Sequence, residues 1–146
     1  MRCAHTEEVN RLNVFPVPDG DTGDNMRMTL EGGLRALENG PATLPEAASA
    51  FARGALFGAR GNSGVILSRF LHGLCMALRT ETAGYDTLAG ALRAGVDEAY
   101  HASMAPAEGT ILTVAREATD YACGRGASGA AGAMTFGAAG AITFAL

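Results

Sequence analysis

The sequence predicts an all-α domain, and three observations carry that expectation. Apolar residues recur at three- and four-residue spacing along most of the chain. The segments between them are short and hold helix starts and stops. No stretch alternates convincingly between apolar and polar residues. Helices of about 12 to 16 residues joined by short loops suit an antiparallel bundle.

Size and charge fit one such domain. The 146 residues are 48% hydrophobic and 18% charged, enough for a core and too apolar for a disordered chain. With 11 basic residues and a net charge of −4, nothing resembles the basic stripe of a nucleic-acid surface. Cys3, Cys75 and Cys123 lie far apart without a CxxC pair. Neither a zinc site nor a disulfide framework is expected from them, and a reducing cytosol is. The N-terminus, MRCAHTEEVNR, is too polar for a signal peptide. His5, His72 and His101 are scattered, and His72 reads as a structural residue on a helix.

Along the chain, the segment NVFPVPDGDTGDNM (13–26) comes first, with Val14, Phe15 and Val17 leading in. A helix opens near Asn25, with Met26, Leu30, Leu34 and Leu37 on one face, and Asn39-Gly40-Pro41 ends it. Thr43-Leu44-Pro45-Glu46 has capping-box spacing with proline in the first turn, and opens a helix carrying Phe51 and Leu56. FGARGNSG (57–64) interrupts the pattern. The apolar helix after it holds Val65, Ile66, Leu67, Phe70, Leu71 and Leu74. Another helix spans about Asp86 to Ala102, with Leu88, Leu92, Val96 and Ala99 on one side. PAEGT (106–110) is a turn, and Thr110 caps a last helix reaching about Ala122. After Arg125 no residue is charged, and the octamers GAAGAMTF (129–136) and GAAGAITF (137–144) stand in tandem. This tail, 126–146, is read as weakly structured or as an altered terminus beyond a helical domain over 1–125 that is incomplete at both ends. Glycine and alanine supply little transfer energy, so membrane insertion is not expected of it.

Two loops invite a chemical reading. Asp19, Asp21 and Asp24 crowd into six positions, and such carboxylates repel unless a cation neutralises them. The stretch is not a calcium loop: counted from Asp19, Gly23, Asp24 and Leu30 fall where ligand, glycine and glutamate are required. Asp19 and Asp21 at i, i+2 point to one side of an extended segment. With a phosphate to share, these hard oxygens suit magnesium. Thr22-Gly23-Asp24-Asn25 then opens a helix whose N–H groups favour an anion. Equally, Asp21, Thr22 or Asp24 could merely cap that helix. Gly61-Asn62-Ser63-Gly64 offers a second helix start for a phosphate, or an ordinary cap, without the lysine of a Walker loop.

Together, LNVFPVPDGDTGDNM, GARGNSGVILS and EGTILTVARE closely resemble the nucleotide-binding domain of dihydroxyacetone kinase, the L-subunit (DhaL) type. They look most like its variant at the N-terminus of bacterial fatty acid kinase, over about residues 9 to 120. The resemblance implies a closed barrel of antiparallel helices with ATP at one end. It implies that Asp19 and Asp21 are the catalytic aspartates, holding two magnesium ions that bridge the phosphates. Asn13 lies nearest to a third family aspartate and is the position implied for a third metal ligand. Thr22, Gly23, Asp24 and Asn25, with Asn62, Ser63 and Gly64, match phosphate-binding segments, and Gly109 and Thr110 match a segment near the nucleotide. Asp24 departs from a position usually small or neutral. The family's late loop, with its aspartate and glycine, is replaced by the octamers. The implied activity is phosphorylation of a fatty acid presented by a separate lipid-carrying protein. The alternatives are a dihydroxyacetone kinase-type subunit or a nucleotide-binding module without turnover.

Overall fold

Helix boundaries follow local chemistry. The computed structural model describes residues 5–14, 17–103, 106–126, 133–136 and 142–145. Cys3, Phe15 and the remainder of the octamers lie outside the described residues. The six helices are α1 (Thr6–Leu12), α2 (Thr22–Leu37), α3 (Leu44–Gly58), α4 (Gly61–Ala77), α5 (Tyr85–Ala102) and α6 (Ile111–Gly126). Gly40 stops α2 at φ 66°, a left-handed backbone that glycine adopts without a Cβ clash, and its N–H bonds Leu37 O at 3.0 Å. Thr43 caps α3, its hydroxyl accepting from Glu46 N at 3.3 Å, with proline in the first turn. The Glu46 carboxylate reaches back to Ala42 N, one residue upstream of a regular capping box.

The helices pack in series, α1 on α2 and so on to α6, with α2 also meeting α4. Matching positions run in opposite senses: Arg69 pairs with Glu98 while Gly73 meets Ala94, and Arg93 pairs with Asp120 while Cys123 meets Ala89. Neighbours are therefore antiparallel, which brings the starts of α2, α4 and α6 to one end. Among the described residues no extensive packing joins α6 back to α1 or α2, so the series stays open on that side.

The core is built from small side chains. Ala47, Ala48, Ala52, Ala55, Ala91 and Ala99 are buried beside Ile66, Cys75, Val96 and Leu112. On α2 the buried face is Gly23, Asn25, Thr29 and Gly33, whereas Leu34, placed by its spacing on the apolar face, is 49% exposed. Leu56 and Val65, also read as apolar helix members, are exposed too. The reason is the closeness of the helices: a Cβ on Gly54 would meet Gly32 O, and one on Gly58 would meet Met28 O at 2.7 Å. Backbones that near leave room only for glycine and alanine at the contact, and larger side chains flank it.

Three short strands correct the expectation that the chain has none. They are β1 (Thr82–Ala83), β2 (Ala133–Phe136) and β3 (Ile142–Ala145). They pair antiparallel in the order β1-β2-β3, with Thr82 opposite Thr135 and Thr135 opposite Thr143. Each octamer thus contributes a strand from its Met/Ile-Thr-Phe end, a run too short to show an alternating pattern. No helix among the described residues is long and apolar enough to cross a membrane.

Candidate nucleotide and metal site

The start of α2 is capped from outside its own segment. Asp21 occupies the N-cap position, but its side chain makes no capping bond. Asn10 of α1 does so instead. Its Oδ1 accepts from Gly23 N at 2.7 Å and Asp24 N at 3.3 Å, and its Nδ2 donates to Asp24 Oδ2 at 2.9 Å. Asn25 N bonds Asp21 O at 2.9 Å, so three consecutive N–H groups of the first turn are engaged. A Cβ on Gly23 would strike Thr6 O, which is how α1 comes near enough. The caps considered from sequence, Asp21, Thr22 and Asp24, are therefore not the ones used. Asp24 also pairs with Arg27 at 3.4 Å. The Arg27 guanidinium is held above its ordinary pKa, first by its hydrogen bond to Glu31 and then by Asp24.

Freed from capping, Asp21 is exposed, as is Asp19, and neither carboxylate has a partner among the described residues. Between them Gly20 turns at φ 68°, and Asn13 braces the loop: Asn13 Oδ1 accepts from Gly20 N at 3.0 Å and its Nδ2 donates to Val17 O at 3.1 Å. Among the described residues no three His, Cys, Asp or Glu side chains converge. Two unengaged carboxylates nevertheless fit magnesium, which takes one or two from the protein and its remaining oxygens from phosphates and water.

At α4 the contrast is plain. Arg60 is the N-cap and offers no side-chain cap; Gly64 N bonds Arg60 O at 3.1 Å, and the N–H groups of Gly61, Asn62 and Ser63 have no acceptor among the described residues. Gly61, at φ 60°, lies where a Cβ would run into the Asn25 carboxamide, and one on Gly64 would come within 2.8 Å of Thr29 Oγ1. The start of α4, with its free donors, thereby lies against the first turns of α2, the helix whose N-cap is Asp21. The third segment satisfies itself. Thr110 Oγ1 accepts from Leu112 N at 3.3 Å, the cap expected of it, and Gly109 N donates to Thr113 Oγ1 at 2.9 Å. Glu108 Oε2 accepts from Thr113 Oγ1 and Arg116. Leu112 packs with Ile66 of α4, which ties this segment to the same end. Sequence reasoning missed Asn10; its only signal was an asparagine on the turn before the loop.

The family model described as the DAK2 domain matches residues 16–142. An uncharacterised protein of Staphylococcus saprophyticus is 52% identical over 81% of this chain and 22% of its own length. Uncharacterised proteins of Staphylococcus haemolyticus and Staphylococcus aureus are 50% and 48% identical, each over 78% of this chain and 21% of their own length. The chain thus spans about a fifth of the length of these curated relatives.

Proposed function

Because the chain belongs to the DAK2 domain family, we propose that it is a magnesium- and ATP-binding module of a dihydroxyacetone kinase-like phosphotransferase. The observation that carries this reading is the uncapped start of α4 packed, through Gly61 on Asn25, against the first turn of the helix that follows the free Asp19 and Asp21 carboxylates. Magnesium held by Asp19 and Asp21 would supply charge neutralisation at the phosphate oxygens. The chain's own residues do the rest. The N–H groups of Gly61, Asn62 and Ser63 donate to phosphate, the helix dipole behind them favours the anion, and Ser63 and Asn62 add side-chain donors. Asn13 keeps the Asp19–Asp21 turn in shape, and Asn10 fixes the first turn of α2 beneath it. At α2 the Gly23 and Asp24 amides already serve Asn10, so phosphate contacts fall chiefly to α4.

The acceptor is proposed to be a fatty acid presented by a separate lipid-carrying protein, giving an acyl phosphate; a carboxylate acceptor needs no general base. That step is supported by the motif resemblance, and the setting that suits it is a cytosol with ATP and reduced thiols. Calorimetry of ATP binding with magnesium and in EDTA tests the core of the proposal. Binding that requires the metal is expected, and equal affinity in EDTA would overturn it.

A further inference from the structure

The small sheet ends on an open strand. β3 pairs with β2 on one side and, among the described residues, with no strand on the other. Alternate residues of an antiparallel edge strand point their N–H and C=O groups away from its one partner, so β3 carries unspent backbone donors and acceptors. The opposite edge is guarded. β1 is two residues long and follows Arg79 and Glu81, and shortness and charge are the usual protections of an edge. Neither protects β3: no residue after Arg125 is charged, and none is proline.

The ladder that β3 already makes shows what its free side accepts. Thr143 stands opposite Thr135, Phe144 opposite Met134 and Ile142 opposite Phe136. The two strands bring the same Met/Ile-Thr-Phe run from the two octamers, so β3 is paired, antiparallel, with a near copy of itself. A second β3 laid antiparallel along the open side, threonine opposite threonine, repeats that ladder. Thr143 then faces Thr143 of the other copy, and Ile142 and Phe144 face each other on both sides of it. Isoleucine in place of methionine is the one change from the internal pairing, and β-branched residues opposite aromatic ones are favourable cross-strand pairs. The register is also fixed, because a slip of one residue sets threonine against phenylalanine and loses every one of these pairs.

We propose that this edge binds a second copy of the chain, β3 against β3, joining two three-stranded sheets across a two-fold axis. The mode is strand addition, with backbone hydrogen bonds supplying the attraction. The contact is isologous, and the outer edges of the joined sheet are the guarded β1 strands, so assembly closes at two chains. With four residues from each copy the contact is small, and the association is weak and reversible. No residue of the nucleotide site takes part, so the inference stands apart from that reading.

The test is sedimentation velocity of the full 146-residue chain under reducing conditions. Its average mass should climb toward twice that of one chain between about 10 µM and about 1 mM, and no further. In Thr143→Lys the new charge meets its own copy across the two-fold axis but only the neutral Thr135 within the chain. Like charges directly opposite are unfavourable, so this variant should associate roughly tenfold more weakly or worse, and Thr143→Glu likewise. An equimolar mixture of the two variants should regain the native association, which variants that had merely failed to fold could not do. A native chain that stays monomeric throughout, growth past the dimer, undiminished association of Thr143→Lys, or a mixture that does not recover would each overturn the proposal.

Discussion

Single side chains divide here between holding the loops and leaving groups free for chemistry. Asn10 belongs to the first kind. Asn10→Ala removes an N-cap that accepts from two amide N–H groups, and the urea midpoint should report a loss of about 0.5–2 kcal/mol. Asp21 belongs to the second. It is exposed and makes no cap, so Asp21→Ala should change stability by less than about 0.5 kcal/mol. The same variant should weaken magnesium–ATP binding by about tenfold or more, a coordinating carboxylate being lost; calorimetry beside a melt separates the two effects. Cys75 reports on packing alone. Burial raises its thiol from an ordinary 9.0 to about 11. The neutral thiol is the form the fold favours, so this contribution is complete below pH 9 and is lost as pH rises through 11. Urea midpoints across that range should fall more steeply for the native chain than for Cys75→Ala. The caps at Thr43 and Thr110 were legible in the sequence, because donor and acceptor lie within three residues. The Asn10 cap was not, because its bonds cross 13 and 14 positions.

Between elements, closeness of backbones is the organising fact. The α2–α3 crossing depends on the absence of side chains at Gly32, Gly54 and Gly58. Gly54→Ala should therefore destabilise by about 1–3 kcal/mol through overpacking. Gly90, exposed within α5 with nothing near its missing Cβ, is the control. Gly90→Ala should stabilise by about 0.5–1 kcal/mol, the usual gain of alanine over glycine in a helix. Denaturation of the pair distinguishes a packing glycine from an incidental one. Helix periodicity disclosed where α2 to α6 run, but it put the contact faces on leucine and valine. In a bundle crossed through glycine and alanine, the most apolar stripe and the most buried stripe part company, and Leu34 shows it.

For the whole molecule, antiparallel order gathers three helix starts at one end, and ligand binding there should be read in global stability. Magnesium–ATP at a hundred times its dissociation constant should add about 2.7 kcal/mol to unfolding, and EDTA or Asp21→Ala should remove most of it in thermal melts. That the first two loops would meet was legible only through motif resemblance, since neither periodicity nor spacing joins Asn25 to Gly61. The tandem octamers give the last consequence. The octamers differ at a single position, Met134 against Ile142, and their strands pair with Thr135 opposite Thr143. Both copies offer the same Thr-Phe step, so the second is expected to be able to stand beside β1 if the first is removed. Excising one copy should therefore shorten the sheet by an edge yet leave the α4–α5 connection a partner, a redundancy that a unique strand would not confer.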